Sequence, residues 1–169
     1  MIENIHEDKY CIEGTIKSGL FGREMSVSIC DGASVEYAEE CALAMNSLPD
    51  ETIDTICEAA KKYCLWMSGL EAETGGSLDD EWYDMEVPIY EDTPAREILK
   101  NVCLDHLIVN KPEDSSIGYC LGESCGWEPE HGIEIVIKDN KVLYVGAFEG
   151  CTPWDDFPKD DEYNFVNLI

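Results

Sequence analysis

Basic residues are scarce in this chain. Eleven lysines and arginines stand against 37 aspartates and glutamates in 169 residues, a formal net charge of −26. Such a chain repels polyanions, which excludes nucleic acid and anionic lipid surfaces as expected partners. Long apolar runs are missing too. No stretch nears the ~20 residues that a membrane span requires, and residues 1–10 hold no apolar segment of the secretory kind. A cytoplasmic location without membrane contact is therefore expected. Histidine is limited to His6, His106 and His131, so few imidazoles can serve as general bases or metal ligands. A phosphate loop is also lacking, because Gly75-Gly76-Ser77 has neither the lysine nor the strand–helix setting. No internal repeat and no low-complexity tract are present.

Acid is what the chain has in abundance, and it is clustered. Residues 71–92 carry nine carboxylates and no lysine or arginine, and residues 112–137 also lack any basic residue. The tail Asp155-Asp156-Phe157-Pro158-Lys159-Asp160-Asp161-Glu162 forms a third block. These blocks would attract a basic protein partner or a divalent cation. The apolar fraction of 44% is that of a folded protein, and one domain over residues 1–169 is expected. Nine cysteines in no compact disulfide spacing read as reduced thiols, most of them small core hydrophobes.

Alternation sets the first elements. Residues 11–17 and 24–30 alternate apolar and polar side chains and predict a β-hairpin within residues 1–30, with one wet face. Gly19-Leu20-Phe21-Gly22 joins them and leaves Leu20 and Phe21 at the tip. His6 falls in a frayed end. Residues 34–69 read as an antiparallel helix pair. Ser34 caps the first helix, and Asp50 is the cap candidate of the second. In the second helix Ile53, Ile56, Cys57, Ala60, Tyr63, Cys64 and Met67 form one apolar stripe. Residues 71–92 read as an acidic loop pinned by Trp82, Tyr83 and Met85. In residues 93–169 a short helix over 94–102, capped by Thr93, precedes a mainly antiparallel sheet. The fold class is α+β.

The best-specified hairpin spans residues 132–146, with Asp139-Asn140 as a two-residue turn. The register that follows pairs Ile137 with Val142 and Ile135 with Tyr144 on one face. It pairs Val136 with Leu143 and Glu134 with Val145 on the other. With both faces apolar, the hairpin is expected at the centre of its sheet and covered on both sides.

Unusual polar chemistry concentrates just before it, in Gly126-Trp127-Glu128-Pro129-Glu130-His131-Gly132. Glu128, Glu130 and His131 are the candidate acid/base or cation-binding set. In the structural reading, Glu130 or His131 satisfies backbone donors at the strand entrance and Trp127 packs as a lid. Zinc held by Cys120, Cys125 and His131 is an alternative. Its Cys-x4-Cys-x5-His spacing is no standard knuckle, and an odd separation sends two cysteines of one strand to opposite faces. No cofactor and no metal are expected. The candidate binding set is Leu20, Phe21, Trp127, Glu128, Glu130, His131 and Trp154.

The run from Trp127 to Glu134, continued by Lys138-Asp139-Asn140-Lys141-Val142-Leu143-Tyr144-Val145-Gly146, resembles the C-terminal signature of small uncharacterised bacterial proteins of a domain-of-unknown-function family. The helix pair, with Cys41, Cys57 and Tyr63, resembles that family's middle region. The resemblance implies the hairpin and its loop as a unit and supplies no catalytic residue. It implies an immunity-like or accessory protein that binds a partner. The expected function is accordingly non-enzymatic binding of a basic protein. The alternative is a small hydrolase or metal-dependent enzyme centred on Glu128, Glu130 and His131.

Overall fold

The alternating segments do pair. In the computed structural model, which describes residues 1–7, 9–74 and 85–169, strands β2 (Ile12–Ser18) and β3 (Arg23–Ile29) form an antiparallel hairpin. Met25, Val27 and Ile29 face the core from β3. A further strand, β1 (Glu3–Glu7), lies antiparallel along β2. His6 therefore sits on an edge strand and not in a frayed end.

The hairpin tip folds onto the body. Leu20 and Phe21 are half-buried against the core. Helix α1 (Val35–Asn46) supplies the clamp. The Asn46 side-chain oxygen accepts hydrogen bonds from the Gly19 and Leu20 amides at 2.8 and 3.2 Å and from the Ser18 hydroxyl at 3.2 Å. Ser34 caps α1 by accepting from the Tyr37 amide.

Helix α2 (Asp50–Thr74) begins at Asp50, so that residue lies inside the first turn and does not cap it. Its anionic first turn binds Arg96, whose guanidinium reaches Asp50 at 3.0 Å and Asp54 at 2.6 Å. Arg96 belongs to the expected short helix, which is of the 3₁₀ type and spans Ala95–Asn101. Thr93 does not cap it; the Thr93 hydroxyl accepts instead from the Tyr90 amide. The first acidic block is partly helical, since α2 runs to Thr74. Trp82 and Tyr83 lie outside the described residues, while Met85 packs against the core.

Four strands follow: β4 (Val102–Val109), β5 (Gly118–Cys125), β6 (Glu128–Lys138) and β7 (Lys141–Gly146). The seven strands of the described residues form one sheet in sequence order. Neighbours are antiparallel except β3 and β4, which are parallel. A parallel pair needs a long crossover, and α1 and α2 provide it. The fold is α+β, with the helices in the middle of the chain and a mainly antiparallel sheet. No helix among the described residues is long and apolar enough to cross a membrane.

The C-terminal hairpin departs from the expected register. Asp139 and Asn140 adopt φ of 49° and 62°, as a two-residue turn demands. Ile137 does pair with Val142, but Val136 then pairs with Tyr144, Ile135 with Val145 and Glu134 with Gly146. Leu143 is the extra residue of a bulge. Because side chains alternate with period two, one inserted residue exchanges the faces beyond it. Tyr144 thus joins Cys120 and Val136 in a small cluster on the outer face, while Val145 joins the main core. β7 is also the last strand, so the hairpin closes the sheet's edge and is not central. Coverage on both sides is nevertheless what the burial of β6 and β7 displays.

The cysteines split. Cys41, Cys57, Cys64, Cys120 and Cys125 are buried free thiols, and Cys103 and Cys151 are half-buried. Cys11 and Cys30 are instead disulfide-bonded, against the expectation of reduced thiols throughout. They follow directly on the Ile12–Ile29 pair, with Cα atoms 4.6 Å apart. That is the spacing of directly opposed residues on antiparallel strands.

Candidate functional site

The polar run forms a bent entrance to β6. Trp127 is fully buried behind it, edge-on to Tyr63 with ring centroids 5.7 Å apart. Trp127 is therefore core, not lid. Glu128 follows and is only 7% exposed. Its two carboxylate oxygens accept from the Glu130 amide at 3.2 Å and the His131 amide at 2.6 Å. Glu128, and neither Glu130 nor His131, thus satisfies the donors of the bend. Gly132 completes it with φ of +65°, its α-carbon so close to β5 that a Cβ would lie 1.9 Å from the Glu123 carbonyl oxygen. The Tyr63 hydroxyl donates to the Gly132 carbonyl at 3.3 Å. Burial raises the Tyr63 phenol well above its ordinary value, so it stays a neutral donor.

This wrapping turns Glu130 and His131 outward. The His131 Nδ1 stands 3.4 Å from Glu128 Oε2, and ligand atoms of Glu128, Glu130 and His131 all lie within 4.8 Å of one another. The three candidate residues therefore converge at the mouth of a cleft of about 350 Å³. α2 contributes Tyr63, Trp66 and Met67 to its wall. The end of β7 and the segment after it contribute Tyr144, Ala147 and Glu149, and the C-terminal segment contributes Tyr163 and Phe165. Trp66 packs edge-on to Tyr163 and against Phe165, each at 5.8 Å between centroids. Phe165 in turn lies 4.9 Å from Tyr63. Glu134, buried beside this wall, accepts from the Glu149 and Cys151 amides at 3.2 and 3.1 Å and so fixes the segment that carries Glu149. Burial raises the Glu134 carboxyl.

Among the described residues, no lysine, arginine, serine, threonine or cysteine lines the cleft. Its chemistry is that of carboxylates, an imidazole and aromatic rings. The nucleophile types it does hold are carboxylate, imidazole and phenol. Acid/base or metal-assisted chemistry would rest on Glu128, Glu130 and His131.

The other candidates lie elsewhere. Leu20 and Phe21 are at the β2–β3 tip under Asn46. Trp154 is on the outer face with the Lys138 ammonium 3.9 Å from its ring centroid. Cys120 and Cys125 do not meet His131. The Cys120 thiol donates to the Cys151 carbonyl within the outer cluster, whereas Cys125 belongs to the main core and donates to the Glu128 carbonyl. Burial pushes the Cys125 thiol up to about 12.

Sequence reasoning missed the walls of the cleft. Trp66 falls off the apolar stripe of α2, and a large aromatic at such a position is the one signal that could have marked it. A second polar array was missed entirely. The Ser28 hydroxyl lies 2.7 Å from His106 Nε2 and within 3.1 Å of both Glu13 oxygens. Burial holds the His106 imidazole below its ordinary value. The order is acid–serine–histidine. In a nucleophile triad the acid orients the histidine instead, so this line reads as a structural hydrogen-bond chain across β2, β3 and β4.

A family model of a domain of unknown function, DUF6985, matches residues 1–152. The chain belongs to this family. No curated protein and no solved structure matches it. The DUF6985 span takes in all seven strands, both α-helices, and Trp66, Glu128, Glu130, His131 and Glu149 of the cleft. Tyr163 and Phe165 lie past the matched residues.

Proposed function

We propose that this chain is a non-enzymatic binding domain, of the immunity-like or accessory kind, whose carboxylate-rich surface engages a basic protein partner in a bacterial cell. The carrying observation is the cleft: carboxylates from two separate segments converge on exposed aromatic rings, with no lysine or arginine among the described residues that line it. The net charge of −26 adds a long-range field that steers a cationic protein toward it. A cytoplasmic setting agrees with seven free cysteines, five of them buried, while the Cys11–Cys30 bridge runs against it. The test is capture of partners from a native lysate of the source organism, identification of the captured protein, and titration of the purified pair at rising salt. A basic partner whose affinity falls steeply with ionic strength supports the reading. An acidic partner, or binding indifferent to salt, refutes it.

A second reading is a metal-dependent hydrolase. It is favoured by one observation, the convergence of Glu128, Glu130 and His131 within 4.8 Å. Calorimetric titration with zinc, manganese and magnesium tests it. Stoichiometric binding that His131→Ala and Glu130→Gln abolish would support it, and no heat with any of the three ions would remove it.

A further inference from the structure

We infer that the cleft between α2, the β6 entrance and the C-terminal segment is an arginine pocket, receiving one guanidinium side chain from the basic partner. The inference rests on the binding reading above and names the group recognised. Three properties of the cleft select that chemistry.

Size comes first: about 350 Å³ is at the low end for ligand sites and holds a single side chain or small molecule, not a folded segment. Second, its walls include exposed aromatic surface that core packing does not use. Trp66 is 38% and Tyr163 62% exposed, although Trp66 is itself stacked edge-on against Tyr163 and Phe165. Large apolar rings left open at the rim of a concave site mark contact surface. Third, the polar groups at the mouth are Glu130, Glu149, His131 and the edge of Glu128, and no lysine or arginine among the described residues of the lining neutralises them.

These properties together discriminate among ligands. A neutral apolar ligand would strip water from the carboxylates and return nothing. A bare divalent ion could sit at Glu128, Glu130 and His131 but would leave the aromatic wall unused. An ammonium is strongly hydrated and offers no flat face. A guanidinium is planar and weakly hydrated, stacks on aromatic rings and forks onto a carboxylate through two parallel N–H donors. Glu128 has both oxygens engaged by backbone amides. Direct pairing therefore falls to the exposed Glu130 and Glu149, with Glu128 contributing negative field from behind.

The test is an NMR titration of the full chain with N-acetyl-arginine methylamide and with its lysine and citrulline counterparts. Citrulline keeps the flat shape and removes the charge. The expected result is saturable movement of the Trp66 indole N–H and of the Glu130 and His131 amides. The arginine compound should bind at least tenfold more tightly than citrulline and more tightly than lysine. Trp66→Ala and the surface double variant Glu130→Gln/Glu149→Gln should each weaken it by at least tenfold. The double variant alters only exposed side chains, which guards against a folding failure in Trp66→Ala. Equal binding of citrulline, equal binding of lysine, or no saturable movement overturns the inference. A captured basic partner whose salt-dependent affinity is untouched by these variants would overturn the pocket while leaving the binding reading in place.

Discussion

Replacing Gly132 by alanine should destabilise the fold more than any conformational penalty alone, and the cost can be built from geometry. Gly132 has φ of +65°, and an added Cβ would stand 1.9 Å from the Glu123 carbonyl oxygen, 3.0 Å from its carbon and 3.3 Å from the Ser124 α-carbon. A left-handed conformation costs an ordinary L-residue about 1–2 kcal/mol. Real Cβ contacts do not fall below 3.0 Å, so β5 and β6 must separate by about 1.1 Å, which is 3.0 less 1.9. The obstructing atoms are backbone and cannot rotate away. Forcing such a separation adds a further ~1–3 kcal/mol, the usual range for overpacking. The total is ~2–5 kcal/mol against a typical stability of ~5–15 kcal/mol. Gly150 is the control: its φ is +73°, but a Cβ there meets nothing within 4 Å, so Gly150→Ala should cost only the conformational ~1–2 kcal/mol. Urea melts followed by tryptophan fluorescence measure both, and an unchanged m-value confirms that midpoints report stability. If Gly132→Ala costs no more than Gly150→Ala, the close approach of β6 to β5 is wrong, and with it the geometry of the cleft mouth.

Two further outcomes follow from the outer half of the sheet. The Cys11–Cys30 bridge closes a loop with a sequence separation of 19; reduction should cost ~3 kcal/mol on loop-closure entropy, seen as a fall in Tm with dithiothreitol that Cys11→Ser/Cys30→Ser no longer shows. His106 carries a pH dependence, because burial lowers its folded pKa below the ordinary 6.5. The unfolded chain therefore takes up the proton first as pH falls. The His106 contribution is intact above about 6.5 and is lost on acidification toward the lower folded value, with a slope no steeper than ~1.4 kcal/mol per pH unit. Urea midpoints between pH 7 and pH 5 should fall more steeply in the native chain than in His106→Gln, and parallel slopes would refute the assignment.

What the sequence discloses is local. Asp139-Asn140 announces its turn because both residue types tolerate positive φ, and Ser34 announces its helix because a hydroxyl one residue ahead of an apolar stripe can accept an orphan amide. Period-two alternation marks β2 and β3 as half-wet strands. Each of these signals depends on residues within one turn or one strand. The misreadings of register, disulfide and cleft depend on partners far away in sequence, whereas the caps at Asp50 and Thr93 were misplaced by local geometry. Leu143 becomes a bulge where Asn164 bonds the edge of β7: its side chain donates to the Leu143 carbonyl at 2.7 Å and accepts from the Val145 amide at 3.4 Å. Nothing between residues 132 and 146 encodes that. Cys11 meets Cys30 only once the hairpin register is set. Ser28 and His106 are 78 residues apart, and Tyr163 and Phe165 reach the cleft only after the C-terminal segment docks on α2. Glu128, Glu130 and His131 were legible as a group because the bend that gathers them is local too.

The edges of the sheet bear on how a partner could engage it. An open edge strand is a template for a partner's strand, and this sheet has two edges, β1 and β7. At β7 the Leu143 carbonyl and Val145 amide are already taken by Asn164, and the 3₁₀ helix Phe165–Leu168 packs alongside. At β1 the strand is five residues long, exposed throughout, charged at Glu3 and Glu7, and irregular in register between Glu3 and His6. Both edges thus carry features that discourage strand addition. The same C-terminal segment that occupies the β7 edge brings Tyr163 and Phe165 against Trp66 and forms one wall of the cleft. Sealing the edge and building the cleft are one structural event. On the proposed reading, recognition would use side chains entering a pocket at Glu130, Glu149 and Trp66 and not the backbone of either edge strand.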